Sequence, residues 1–201
     1  VSKKASFSER ELKEISSDDH HIEYTYGGTH FSLPIPGIFN AMNALAAIKM
    51  SAALGISLAT STKALHELAP VKGRVESITA GQDFLAIVDY AHTPDSLAAL
   101  YSAFPKRRKI CVLGNTGGGR DTWKRPAMGK IADEMCDKVI LTNEDPYDED
   151  PRAILDAMAS GMQRTPEILM DRRTAIRAAL AAAQSGDAIL ISGKGTDPFI
   201  M

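Results

Sequence analysis

The hydrophobic pattern changes character near residue 70. Before it, apolar and polar positions alternate in Ile22-Glu23-Tyr24-Thr25-Tyr26 and again in Thr29-His30-Phe31-Ser32-Leu33, with Gly27-Gly28 between them. Period-two alternation on both sides of a glycine pair predicts two antiparallel strands at a sheet edge. Residues 39–54 then space their apolar side chains as a helix does, with Gly55 as a stop, and 57–68 read as a second helix capped by Ser57. Beyond the bend at 70–73, strands are expected at 84–89, 109–114, 138–143, 167–170 and 188–193. Helical stretches at 94–104, 124–135, 151–162 and 172–184 fill the gaps. Such alternation predicts βα units with right-handed crossovers and a doubly wound, mostly parallel, Rossmann-like sheet. The fold class is α/β, with one domain over 1–74 and a second over 75–201.

Chemistry concentrates where the predicted strands end. The run Ala86-Ile87-Val88-Asp89-Tyr90-Ala91-His92-Thr93-Pro94 places Asp89 and His92 at the carboxyl end of a buried strand, where open α/β sheets bind ligands. Thr93-Pro94 then opens a helix with a side-chain cap and a proline at the first helical position. Three further loops are expected at the same edge. They are Asn115-Thr116-Gly117-Gly118-Gly119-Arg120-Asp121, continuing to Lys124-Arg125-Pro126; the acidic run 143–150; and Gly193-Lys194-Gly195-Thr196-Asp197. One side is basic and glycine-rich and the other acidic. That suits a zwitterion such as an amino acid, with its carboxylate on Arg120 and its ammonium near the acids.

Each motif also has a plainer reading. An aspartate at a strand end is commonly a helix cap, and Gly117 to Gly119 can be a flexible turn. The latter is no phosphate loop, because Arg120 and Asp121 follow the last glycine where Lys and Ser/Thr are needed. The acids of 144–150 suit a solvated loop before a helix whose first turn favours negative charge. His92 alone reads as structural. Trp123 either covers the site or packs on the helix at 124–135.

Composition narrows the class without naming a reaction. The 201 residues are 44% hydrophobic and 24% charged, with a net charge of -2, as in soluble globular proteins. Near-neutral charge gives no electrostatic case for nucleic acid, and no apolar run approaches a membrane span. Cys111 and Cys136 lack metal-ligand spacing and read as reduced thiols of a cytoplasmic protein, Cys111 in the core. His20, His21, His30 and His66 fit no metal or base pattern and read as surface residues. No Ser/His/Asp order, HExxH, CxxC pair or dinucleotide fingerprint is present.

Taken together, the motifs resemble those of the Mur ligases, in particular the MurE (tripeptide synthetase) type, from about residue 36 onward. Gly37-Ile38-Phe39-Asn40-Ala41-Met42-Asn43-Ala44 resembles a GxFNxxNxLAA segment near the end of the family's central ATP-binding domain. Lys72-Gly73-Arg74-Val75-Glu76 is similar to the GRxE hinge that opens its C-terminal domain. Residues 88–95 match VDYAHTPD, 114–128 follow FGxGGxRDxxKRPxM, and Gly193-Lys194-Gly195 matches the start of GKGHE.

The resemblance implies an ATP-dependent ligase in peptidoglycan synthesis. ATP phosphorylates a carboxylate of a UDP-N-acetylmuramoyl-peptide, and the amine of a free amino acid attacks the acyl phosphate. By the match, Asn43 contacts adenine, Arg74 the nucleotide phosphates or ribose, and Asp89 the ribose hydroxyls, with His92 beside the nucleotide. Arg120 holds the amino acid's carboxylate, helped by Glu144, Asp145, Tyr147, Gly193 and Asp197, while Lys124 and Arg125 support the glycine loop. The family's phosphate loop, magnesium and carbamylated-lysine positions and UDP-binding domain are expected upstream of Val1. ATP and Mg2+ are then held mainly by residues outside these 201, no catalytic or metal-binding residue is assigned within them, and the chain alone is expected not to turn over ATP.

Two departures bear on the amino acid. Family members that add diaminopimelate carry DNPR where this chain has Glu144-Asp145-Pro146-Tyr147, and the missing arginine removes a bidentate grip on a distal carboxylate. GKGHE reads Gly193-Lys194-Gly195-Thr196-Asp197. The resemblance thus speaks against diaminopimelate, and the acid-rich loop suits a cationic side chain such as lysine. Two alternatives remain: another superfamily ligase, of folylpolyglutamate or cyanophycin synthetase type, and a stand-alone amino-acid- or nucleotide-binding module.

Overall fold

The computed structural model describes residues 6–119 and 121–201, and the chain divides into two compact units, residues 1–70 and 71–201. In the first, a 3-10 turn at Glu9–Glu11 precedes three antiparallel strands, β1 (Lys13–Ser17), β2 (Ile22–Tyr26) and β3 (Thr29–Leu33). The predicted hairpin is present, its register running from Ile22 opposite Leu33 to Tyr26 opposite Thr29. Alternation carries Ile22, Tyr24, Phe31 and Leu33 inward and leaves Glu23 and His30 in solvent. Helix α1 (Ile38–Ala53) covers that face with Ala41, Ala44, Leu45 and Ile48, and α2 (Leu58–His66) adds Leu58 and Leu65. Ser57 caps α2, its hydroxyl accepting the Thr60 N–H at 3.1 Å. Strand β1 was not anticipated. It has one apolar residue, Ile15, and its register slips between Lys13 and Ser16 with Glu14 at φ 52°.

The second unit carries the predicted parallel sheet. Its strands are β4 (Glu76–Ser77), β5 (Leu85–Val88), β6 (Lys109–Leu113), β7 (Lys138–Leu141), β8 (Glu167–Ile168) and β9 (Ala188–Ile191), in the order β4-β5-β9-β6-β7-β8. All neighbours are parallel except the two-residue β4, which pairs antiparallel with β5 and was missed as too short to show a period. The connecting helices are α3 (Pro94–Ser102), α4 (Lys124–Met135), α5 (Pro151–Ala159) and α6 (Arg172–Ala181). Ala175 and Ala179 of α6 pack on Ile110, Val112, Ile140 and Ile189, on one face of the sheet. Because β9 lies between β5 and β6, the tips of β5, β9, β6 and β7 stand side by side at the carboxyl edge. Sequence order alone does not dictate that arrangement.

One reading changes. Cys111 is fully buried, as expected of a core strand, but it is bonded to Cys136 just after α4, with the Cα atoms 6.2 Å apart. The two are a disulfide rather than reduced thiols. They are 25 residues apart in sequence, and alternation along β6 turns position 111 away from α6. Trp123, directly before α4, is 70% exposed. The basic run at 106–109 is largely engaged internally, Arg108 on Asp187 and Lys109 on the carbonyls of Phe104 and Arg107. Among the described residues no helix is long and apolar enough to cross a membrane.

Candidate functional site

At the tip of β5, Thr93 caps α3 as predicted, accepting the Ser96 N–H, with Pro94 at the first helical position. Asp89 is buried and both of its oxygens are occupied. Oδ2 accepts the Val75 N–H at 2.8 Å and Oδ1 the Ala91 N–H at 2.7 Å. Burial pushes this carboxyl up from its ordinary value, against the pull of those N–H donors and of Arg74. Asp89 thereby ties residue 75, at φ 47°, to the strand tip. Arg74 lies over the Tyr90 ring, 4.3 Å from its centroid, and His92 meets the same ring edge-on at 4.9 Å. His92 Nδ1 is 2.8 Å from the Tyr90 carbonyl oxygen. A carbonyl can only accept, so Nδ1 carries the proton and Nε2 is the acceptor of the neutral ring.

The tips of β6 and β7 are joined. Gly117 N–H donates to the Asp145 carbonyl at 2.7 Å, and a Cβ at Gly117 would overlap the Pro146 carbonyl, so the loops meet because this residue has no side chain. Buried Arg125 braces the junction from behind. It pairs with Glu149 at 2.8 and 3.0 Å and reaches Asn115 Oδ1 and the Thr116 carbonyl at 3.4 Å. This is the supporting role expected of it. Arg125 and the Gly119 N–H together hold the Glu149 carboxyl below its ordinary value.

The acidic loop differs most from expectation. Glu144 is 2% exposed, with Oε1 accepting from Thr116 Oγ1 at 3.0 Å and Oε2 unpartnered. Oε2 presses on Gly193, whose φ of 100° and missing Cβ make room for it. Burial drives the Glu144 carboxyl up, opposed by the charge of Arg172. Arg172, the first residue of α6, is itself buried and donates from Nη2 to the Ser192 carbonyl at 2.6 Å. Asp145 takes Lys194 Nζ on both oxygens, at 2.8 and 2.7 Å, and the Met201 N–H at 2.8 Å. Asp150 caps α5, accepting from Arg152 N–H. The expected open acidic face is therefore largely neutralised within the fold.

What remains is a cavity of about 440 Å³ at the carboxyl edge, lined by Tyr90, His92, Thr116, Lys124, Asp145 and Lys194, among others, with Asp121, Tyr147 and Asp197 also lining it. Of the residues singled out by sequence, His92, Lys124, Asp145, Tyr147 and Asp197 line this cavity. Arg74 stands on Tyr90, while Asp89, Glu144 and Gly193 are buried behind it. Asn43 is exposed on α1 of the other unit. Arg120 lies outside the described residues. Lys194 and Arg172 were not singled out. A lysine between two glycines at a strand tip, and an arginine at the start of the helix predicted over 172–184, were the available signals. Among the described residues no three His, Cys, Asp or Glu side chains gather as a metal site.

The family model described as "Mur ligase, glutamate ligase domain" matches residues 73–195. The chain belongs to the Mur ligase family. It is 37% identical over 207 residues to the UDP-N-acetylmuramoyl-L-alanyl-D-glutamate--2,6-diaminopimelate ligase of Syntrophomonas wolfei, covering 99% of this chain and 42% of that protein. To the protein of the same name from Geobacillus thermodenitrificans it is 43% identical over 195 residues, 89% of this chain and 40% of that one. A solved ligase of that name superimposes with a TM-score of 0.63 at 29% identity, over 94% of this chain and 40% of its own. MurF from Acinetobacter baumannii, at 19% identity with a TM-score of 0.72 over 90% of this chain and 41% of its own, shares the fold. The chain spans about two fifths of the length of the curated relatives it matches. Tyr90, His92, Gly117, Lys124 and Lys194, which line this cavity, lie in the motifs that carried the resemblance.

Proposed function

We propose that this chain is the amino-acid-binding portion of a MurE-type, ATP-dependent carboxylate–amine ligase, with residues 1–74 the end of its central ATP-binding domain and 75–201 its C-terminal domain. The observation that carries this reading is the cavity at the carboxyl edge of the sheet, where His92, Lys124, Asp145, Lys194 and Asp197 converge in a chain of this family. The longer protein would join a free amino acid to a UDP-N-acetylmuramoyl-peptide in the cytoplasm, with ATP and Mg2+ as cofactors held mainly outside these residues.

The residues present fit a partial nucleotide contact. Arg74 has no ion pair among the described residues and presents its charge over Tyr90, so it is available to a phosphate or a ribose hydroxyl. His92, with Nε2 as acceptor, can accept a hydrogen bond from a hydroxyl, and Asp89, both oxygens engaged, positions the backbone at the ribose side. ATP supplies the phosphoryl group that activates the substrate carboxylate. The chain's part is to hold the incoming amine in line, with its carboxylate on Arg120 and Lys124 and its ammonium toward Asp197. Arg125 and Gly117 keep that loop in register, and Glu144 and Gly193 form the wall behind it.

Amino-acid-dependent phosphate release by the full-length ligase, supplied with the UDP-muramoyl-dipeptide, tests this reading. Release is expected to require the amino acid and to fall at least about tenfold when Lys124→Ala removes a carboxylate ligand. Release that ignores the amino acid would refute it. Residues 1–201 alone are expected to release no phosphate.

A further inference from the structure

The Cys111–Cys136 bond closes a stretch of chain that supplies one wall of the cavity. Between the two cysteines run the last residues of β6, the glycine loop and all of α4, with Thr116, Gly117, Asp121 and Lys124 lining the cavity and Arg125 bracing it. Two other contacts hold α4. Arg164 gathers its carboxyl end, donating to the carbonyls of Cys136 at 2.7 Å and Asp137 at 3.2 Å and pairing with Asp133 at 2.7 Å. Gly129 lies so close to α5 that a Cβ there would overlap the Met158 carbonyl.

The two sulfurs differ in access. Cys111 is fully buried in the middle of β6. Cys136 is 3% exposed and helps to line a cleft of about 620 Å³ at the amino edge of the sheet. Five cationic side chains, Lys106 to Lys109 and Arg164, line that cleft against three acidic ones, Asp133, Glu134 and Asp137.

We propose that this bond is a reversible redox lock on residues 111–136, opened at Cys136 by an anionic thiol entering from the cleft. A thiolate attacks Cys136 Sγ and forms a mixed disulfide, and Cys111 leaves and takes up a proton. A second thiolate attacks the reagent sulfur of that mixed disulfide. It frees Cys136, which is also protonated, and departs as the oxidised dimer of the reagent. Two electrons pass from two reagent thiols to the two cysteines. The positive excess in the cleft favours a reagent that carries carboxylates, such as glutathione. The cross-link limits how far a 25-residue span can open. Without it α4 depends on Arg164 and on α5, and the wall bearing Lys124 opens locally while the sheet keeps its core.

Mass spectrometry and amide hydrogen exchange of the 201-residue chain provide the test. After oxidised glutathione the chain should have no alkylatable cysteine, and after excess reduced glutathione it should have two. Exchange over 111–136 should then rise at least about tenfold, with residues 13–33 unchanged. In Cys111→Ser, Cys136 should take up one glutathionyl group from oxidised glutathione, whereas in Cys136→Ser, Cys111 should take up none. Lys106→Glu, at an exposed position, should slow reduction by glutathione about threefold at low ionic strength and leave reduction by neutral 2-mercaptoethanol unchanged. Two free thiols in the oxidised chain, exchange that is unchanged or raised throughout the chain on reduction, an adduct on Cys111, or an unaltered glutathione rate in Lys106→Glu would each overturn the proposal. The exchange measurement needs no substitution, so it decides the outcome even where a serine variant fails to fold.

Discussion

The tips of β5 and β7 hold buried aspartates in equivalent topological positions, and the two are satisfied in different ways. Asp89 accepts two backbone N–H groups, from Val75 and Ala91. Asp145 binds a side-chain ammonium, Lys194, together with the Met201 N–H. Backbone donors cannot leave without unfolding the turn that carries them. A lysine has four methylenes and can swing toward another anion. The first aspartate is therefore held by backbone alone, and the second chiefly by a side chain. Both elements were read from sequence as ligand contacts, yet only the β7 tip presents its carboxylate to the cavity.

Four measurements would break or sharpen this contrast. The largest effect is expected from Lys194→Met, which leaves Asp145 buried beside Glu144 without its ammonium. Urea denaturation should show a loss of about 3 kcal/mol. Asp89→Ala leaves two buried N–H groups without acceptors and should cost about 2 kcal/mol by the same method. If Asp89→Ala proved the more costly, the β5 tip rather than the buried pair would be the greater contributor to stability. Asp150→Ala, which removes the cap of α5 at the end of the acidic loop, should cost about 1 kcal/mol.

The smallest effect lies in pH dependence. The Glu144 carboxyl is raised by burial, so the folded state holds its proton to higher pH than the unfolded chain does. Its contribution to stability is full below the ordinary carboxylate range and declines as pH rises through the raised value. Glu144→Gln cannot ionise, so its stability relative to the unmodified chain should improve as pH rises above the ordinary carboxylate range. A difference independent of pH would show that Glu144 is not buried as a titrating acid. Glu149 behaves in the opposite sense. Arg125 lowers its carboxyl, so its contribution is present above the unfolded value and lost as pH falls through the folded one.

Much of the frame was legible beforehand. The five parallel strands and six helices are where period and caps predict them, and the boundaries shorten by one to three residues at most ends. Helices end earlier because their last turns loosen once the apolar stripe stops, as at Ala181, after which Ala182 and Ala183 are only partly buried. β1 and β4 were missed because a mostly polar strand and a two-residue strand carry no readable period. Ser57, Thr93 and Asp150 were legible as caps or first-turn acids because capping is a local interaction.

The cavity was less legible, since its chemistry depends on which groups neutralise which. Composition showed an acidic loop at 143–150. It could not show that Asp145 faces a lysine 49 residues later or that Glu149 faces Arg125. The Cys111–Cys136 bond was hidden for the same reason, because spacing carries no information on which side chains the sheet brings together.

The sequence by itself determined the α/β class, the strand-tip loops and, through five ordered motifs, the family. Those features follow from local propensity, periodicity and motif order, which are written along one dimension. Tertiary structure decided which charges in that cavity are available to a ligand. β9 inserts between β5 and β6, and residues far apart in the chain become neighbours there. At contact distance in a buried site, the pairing of opposite charges outweighs any preference encoded by a residue alone.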